Sequence, residues 1–380
     1  MSDSSFETQV VHNHIDQSMA LNSKTTPIYQ TTAFTFKDLD HLESYYNGEA
    51  AYLYTRERNP NTEELGQTIA RLEKAEAGVA TSSGMSAILS GILSVVKPGD
   101  HLIAAEDVYG GTYHLLSKEL KDFGLEVSLV SFHDLEEVRK EIRPNTRLLY
   151  TESISNPFLR VEDIPGIVSL AKEHGLKTMV DNTFATPYLL TPIEQGIDLV
   201  VHSATKYIGG HSDVTAGVLV GRSALIQTAA KKVSTLGASL SPFEAWLAQR
   251  GTKTLALRMD KQSENAKKLA NALKEEPHVK TVYYPEFVSE RGNGAIVTIE
   301  LQPNVQVEQW FKSLGWVKIA PTLAGVETTV SYPVKTSHRS LNEHQLETVG
   351  INEYVIRLSV GIEDSEDIIK QFKEAIKQSI

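Results

Sequence analysis

Lys206 closes the tetrapeptide Ser203-Ala204-Thr205-Lys206, the segment of this chain with the most chemical promise. The apolar run Ile197 to Val201 precedes it and places the lysine at the end of a buried strand. In extended backbone, residues two apart point the same way, so the hydroxyls of Ser203 and Thr205 are aimed at one ligand. Two hydroxyls beside one amine suit a cofactor with both a phosphate and an aldehyde. Pyridoxal 5'-phosphate (PLP) meets that description, with Lys206 as the amine that condenses with the aldehyde. A lysine after a strand is otherwise an ordinary solvated strand end, so the reading depends on its surroundings.

Ligands of an open parallel sheet sit beyond the carboxyl ends of its strands. Asp107 and Tyr109 follow one predicted strand, Glu152, Ser153 and Asn156 another, and Asp181 and Thr183 a third. Thr81-Ser82-Ser83-Gly84-Met85 opens a helix through a glycine turn. The amides around Gly84 and Met85 and the positive helix end fit a phosphate; serine N-capping is the plainer reading. Asp181, with Thr183 beside it, is placed to keep a proton on the pyridine nitrogen, which makes the ring an electron sink. Tyr109 offers a face for stacking, and Asn156 a donor to the ring oxygen. A packed tyrosine and a plain Asn-Pro turn are the competing readings.

Those positions require alternating strands and helices. Strands are predicted over His101–Ala105, Glu126–Ser131, Arg147–Glu152, Lys177–Asp181, Leu199–Ser203 and Gly217–Val220. Helices are predicted over Glu63–Glu76, Met85–Val96, Thr112–Phe123, Leu135–Ile142 and Ile164–His174. The alternation implies an α/β fold with a mostly parallel sheet covered on both faces. Beyond about 237 a long helix, Pro242 to Glu276 through Gly251, leads to strand Ala295–Leu301 and a last helix Ser365–Lys377. The expected organisation is an extended N-terminal arm over 1–45 packed on a neighbouring subunit, a PLP-binding domain over 46–236 and a smaller α+β domain over 237–380.

Composition narrows the function. The 380 residues carry a net charge of -11, which disfavours nucleic acid and anionic membrane as partners. Cysteine is absent, so disulfides and thiolate chemistry are excluded, and a cytoplasmic location fits. Met1 to Gln9 lacks the features of a signal peptide, and the apolar stretch Ala87 to Val96 is too short to span a bilayer. No metal is expected: there is no H-E-x-x-H, and His12 and His14 read as solvent-exposed. No G-x-G-x-x-G follows a strand, which weighs against a nucleotide-dependent oxidoreductase, and no G-x-S-x-G elbow is present.

From about Thr26 to the C-terminus the chain resembles the Cys/Met-metabolism group of PLP enzymes. The resemblance rests on Thr26-Pro27-Ile28-Tyr29-Gln30, Tyr54-Thr55-Arg56 with Asn59-Pro60, Ser83-Gly84-Met85 and Asp107-Val108-Tyr109-Gly110-Gly111-Thr112. It continues through Ser155-Asn156-Pro157, Val180-Asp181-Asn182-Thr183-Phe184, His202 to His211, and Ile356 to Glu363. It implies PLP fold type I, like aspartate aminotransferase, and a homotetramer of two dimers with active sites shared between subunits. It implies that Tyr54 and Arg56 reach the phosphate of the neighbouring subunit's cofactor, with Tyr54 also near the substrate. It implies that Arg357 grips the substrate α-carboxylate, a bidentate task for a guanidinium. His114 stands where the group usually has arginine, and Pro321-Thr322-Leu323-Ala324-Gly325 replaces the usual Glu-Ser-Leu-Gly-Gly. Both departures map to the distal end of the substrate, which makes His114 and Thr322 candidate substrate contacts. Gly111 replaces the cysteine typical of methionine γ-lyases, and Tyr284 to Gly294 is shorter than usual.

The resemblance implies a transsulfuration enzyme acting at the γ-carbon of a small sulfur amino acid or an activated homoserine. Lys206, Tyr109 and Asp181 are its expected catalytic residues. Cystathionine γ-lyase is favoured, with cystathionine γ-synthase as the alternative and cystathionine β-lyase and methionine γ-lyase behind them.

Overall fold

The computed structural model describes residues 4–12, 23–49, 52–336, 339, 346 and 350–380. Part of the expected N-terminal arm, residues 1–3 and 13–22 with His14 among them, lies outside the described residues. The remainder is not simply extended: Phe6–Val11 and Leu39–Tyr46 are helices. The first packs on its own chain, where Phe6 and Val10 are buried and Phe6 meets the Tyr188 ring edge-on at 5.2 Å. An amphipathic turn that buries two apolar side chains is more stable docked than extended.

The large sheet comprises β1 (Ala77–Thr81), β2 (His101–Ala105), β3 (Glu126–Val130), β4 (Thr146–Glu152), β5 (Lys177–Asp181), β6 (Leu199–His202) and β7 (Gly217–Gly221). Their spatial order is β1-β7-β6-β5-β4-β2-β3, and only β7 runs against the rest. Sequence reasoning missed β1, because Ala-Gly-Val-Ala-Thr has little strand propensity of its own. Its small residues answer a packing demand: a Cβ on Gly78 would stand 2.3 Å from Gly66 O of helix Pro60–Glu73. Apolar clusters cover both faces. Along β6, Leu199 and Val201 join one cluster and Val200 the other, as a period of two requires.

A second sheet holds β8 (Val279–Tyr283), β9 (Ile296–Leu301), β10 (Lys318–Ile319), β11 (Thr329–Ser331) and β12 (Val355–Ser359), in the order β10-β11-β12-β9-β8. Helices Leu255–Lys274 and Ser365–Lys377 pack near it, and the buried Trp310 stacks on Phe372 at 6.0 Å. The single helix expected over Pro242–Glu276 is two, Pro242–Thr252 and Leu255–Lys274. Tertiary contacts cut it. Gly251 lies so close to the Gly209 carbonyl that a Cβ would stand 2.3 Å from that oxygen. The buried Arg258 guanidinium donates to Gly251 O at 2.9 Å and Tyr207 O at 2.7 Å. The helix expected over Thr112–Phe123 is continuous, but Leu115–Glu119 winds as a π-turn.

Candidate active site

β6 ends at His202, and the chain turns at once so that Lys206 N donates to Ser203 O at 3.0 Å. The Lys206 side chain enters a cavity of about 520 Å³ lined from both sheets. Gly84, Met85, Tyr109, Asn156, Asp181, Thr183, Ser203, Thr205 and Arg357 also line it. Lys206 Nζ donates to Thr322 Oγ1 at 3.1 Å. Burial, and then the nearby Arg357 charge, pushes the Lys206 amine down to about 8. About a tenth of the amine is then neutral at pH 7, the form that attacks a carbonyl.

The hydroxyls are not equivalent. Ser203 Oγ makes no hydrogen bond among the described residues, whereas Thr205 Oγ1 donates to Ala216 O at 3.1 Å and accepts from Ala216 N at 3.0 Å. Thr183 Oγ1 donates to Asp181 Oδ1 at 2.5 Å and accepts from Ser203 N at 2.8 Å, so it ties two strand ends together. Burial raises the Asp181 carboxyl, and the two Thr183 bonds oppose that rise. Helix Gly84–Val95 points its first turn at the cavity, with Ser83 Oγ accepting from Ser86 N at 3.1 Å. That leaves the Gly84 and Met85 amides as the free donors of the turn. A Cβ at Gly84 would stand 2.8 Å from Ser203 Cβ, so glycine keeps this cradle open.

Across the cavity, Arg357 on β12 is buried; burial pushes its guanidinium down to about 10. Nη1 donates to Asn156 Oδ1 at 3.0 Å and Nη2 reaches Thr322 O at 3.4 Å. Among the described residues Nε is buried without a partner, an orphan donor that a carboxylate would satisfy. The amine, the orphaned guanidinium donor, the open amide cradle and the buried carboxylate fit PLP and an α-amino acid.

The structure does not bring every predicted residue into this cavity. Tyr54 and Arg56 lie in a separate surface pocket of their own chain, where Arg56 Nη1 donates to Ser234 O at 3.2 Å and its guanidinium covers the Tyr54 ring at 5.5 Å. His114 does not line the cavity either; its Nε2 pairs with Glu119 Oε1 at 3.1 Å on the surface. Sequence reasoning placed Glu152 at a strand end but gave it no role; it is buried at the cavity wall and accepts from Tyr109 N at 2.7 Å. Burial, reinforced by Asp181, pushes the Glu152 carboxyl well above the usual range. Its place at the end of β4 was the available signal.

The fold resembles solved enzymes throughout its length. A cystathionine γ-lyase from Lactobacillus plantarum, solved with L-serine, is 35% identical with a TM-score of 0.93, covering 99% of both chains. A Campylobacter jejuni chain described as an O-acetylhomoserine (thiol)-lyase, solved with N'-pyridoxyl-lysine-5'-monophosphate, is 31% identical with a TM-score of 0.94, covering 98% of this chain and 100% of that one. A curated cystathionine β-lyase from Lactococcus lactis subsp. cremoris is 39% identical over 98% of this chain and 99% of its own. Fold and cavity together define a PLP-dependent enzyme of fold type I. The chain belongs to the family of Cys/Met metabolism PLP-dependent enzymes, which it matches over residues 7–377. It is thus an enzyme of the carbon–sulfur lyase or γ-replacement type, with PLP as its cofactor.

Proposed function

We propose that this enzyme is a cystathionine γ-lyase, which converts L-cystathionine and water into cysteine, 2-oxobutanoate and ammonia. The observation that carries the reading is the pairing in one cavity of Lys206 with Arg357, whose Nε is buried and unpartnered among the described residues. An amine-reactive centre facing a carboxylate receptor selects an α-amino acid. The likeness to the Lactobacillus plantarum γ-lyase supports cleavage on the γ side.

In this reading Lys206 holds the cofactor aldehyde, and Gly84, Met85, Ser203 and Thr205 hold its phosphate. Asp181 would pair with the ring nitrogen, Tyr109 would stack on the ring, and the Asn156 amide would donate to the ring oxygen. Bound there, PLP supplies a protonated ring that absorbs the electron pair left on the substrate. Arg357 orients the α-carboxylate, and Thr322 steers the Lys206 amine through their 3.1 Å contact. The Lys206 amine, its pKa lowered by burial, would be the base for the Cα proton of a substrate held beside it. Tyr109, which lines the same cavity, would assist departure of the sulfur. The enzyme works as a cytoplasmic homotetramer of two dimers, in which Tyr54 and Arg56 complete the neighbouring subunit's phosphate site. Their place outside their own cavity supports that arrangement, as do the half-exposed Leu236 and Phe243.

A second reading, β-cleavage to pyruvate, ammonia and homocysteine, is favoured by the Lactococcus lactis relative. Gly111 weighs against methionine γ-lyase, since any side chain there would begin 2.6 Å from Tyr109 Cε1. The deciding experiment incubates purified holoenzyme with L-cystathionine and no added thiol, and identifies the keto acid by mass spectrometry. Rapid 2-oxobutanoate is expected. Pyruvate would replace the first reading by the second, and neither keto acid would point to γ-replacement.

A further inference from the structure

The ends of β4, β5 and β6 alternate between the two sides of the sheet, as a period of two demands. Glu152, Asp181 and Ser203 line the cavity, while their neighbours Ser153, Asn182 and His202 are each 0% exposed. Beneath the cavity those neighbours form one hydrogen-bonded chain with Glu73, from the last turn of helix Pro60–Glu73. His202 Nε2 lies 2.8 Å from Glu73 Oε1, and Asn182 Nδ2 donates to the same oxygen at 2.8 Å. Ser153 Oγ in turn donates to Asn182 Oδ1 at 2.8 Å.

Glu73 is itself 0% exposed, and its other oxygen has no partner among the described residues. A carboxylate sealed from water is costly, and apolar packing would fill the same space at lower free energy. Stability alone therefore does not explain it. It bonds directly at two strand ends, to residues 109 and 129 positions away, and reaches a third through Asn182. We propose that Glu73 is a positioning residue for the cofactor site: through His202, Asn182 and Ser153 it fixes the ends of β4, β5 and β6, and so sets Asp181 and Ser203 against a cofactor it never touches. The backbone couples the two sides directly, because Asn182 follows Asp181 and His202 precedes Ser203. His202 also lies close enough to Asp181 to oppose the upward push of burial on that carboxyl. The inference rests on PLP binding and not on which carbon–sulfur bond is cleaved.

The test uses Glu73→Gln. Apoprotein is titrated with PLP for affinity, and the melting temperature of the apoprotein is measured separately. The pH midpoint of the bound cofactor's visible absorption band is recorded as well. The expected result is a PLP Kd raised about tenfold, with a displaced band midpoint. A lower melting temperature with Kd and midpoint both unchanged would make Glu73 merely structural and overturn the proposal. If Glu73→Gln fails to fold, His202 decides. His202→Gln, whose amide nitrogen can stand in for Nε2, keeps near-parental PLP affinity, whereas His202→Leu loses it. Equal PLP affinity in those two variants would equally overturn the proposal.

Discussion

Lys206 owes its reactivity to burial and to the Arg357 charge, which together bring its amine to about 8. The pH dependence follows with its sign. Below 8 each pH unit removes about nine-tenths of the neutral amine, the form that captures an aldehyde. Mixing apoprotein with PLP at a series of pH values should therefore give a capture rate that climbs to about pH 8 and then levels. A rate still climbing towards pH 10 would mean an ordinary solvated lysine. Arg357 carries a different expectation. Arg357→Lys keeps a cation but loses the planar fork, so kcat/KM for the amino-acid substrate should fall about 30- to 100-fold, by roughly 2–3 kcal/mol of lost charge-assisted bonding. PLP affinity should hardly move, which titration of the variant apoprotein would check. Lys206, Asp181 and Ser203 were legible in the sequence because each stands at or just beyond a strand end, where ligands of open sheets bind. Glu73 was not, since nothing local to a helix end foretells a partner 129 residues away.

Loops and strand ends inherit their placement from a second set of charges. Arg160 Nη2 donates to both Asp107 oxygens, at 3.0 and 2.9 Å, and to Glu162 Oε1 at 2.6 Å. It thereby links the loop that carries Tyr109 to the one that carries Asn156. Burial outweighs the Arg160 attraction, and Asp107 and Asp163 add to it, so the Glu162 carboxyl is raised to about 7. A raised carboxyl favours the folded state fully below its unfolded value, near 4.5, and loses that contribution as pH rises through 7. The loss is about 3 kcal/mol at about 1.4 kcal/mol per pH unit. Glu162→Gln removes the titration. Its melting temperature relative to the parent should thus improve from pH 5 to pH 8, by about 3–4 °C for a chain of this size. Calorimetry at both pH values checks this; a constant difference would show that the Arg160 pair, not burial, governs Glu162. The same contrast between local and long-range control explains which elements could be read in advance. Ile164–His174 was legible at both ends because Asp163 caps one and Gly175, in the left-handed conformation, stops the other. β1 and the break after Thr252 were not, because Gly66, which crowds the one, and the Gly209 carbonyl, which crowds Gly251 at the other, lie in other elements.

The roles proposed for Tyr54 and Arg56 belong to the scale of assembly. Each lies on the surface of its own chain, outside the Lys206 cavity, with Tyr54 41% exposed. In a two-fold dimer, surface residues of one subunit can close the site of the other, and the symmetry makes the exchange reciprocal. Complementation separates this from a role within one chain. Lys206→Ala and Arg56→Ala are each prepared, unfolded together at equal amounts and refolded with PLP. In a mixed dimer, the Arg56→Ala subunit keeps its own Lys206 and receives Arg56 from the Lys206→Ala subunit, so one of its two sites is restored. The other site carries both defects. Random pairing makes half of the dimers mixed, so the refolded mixture should regain about a quarter of parental activity. Each variant refolded alone should stay near its own low level. If Arg56 serves only its own chain, mixing restores nothing, because every subunit with an intact lysine then lacks its arginine.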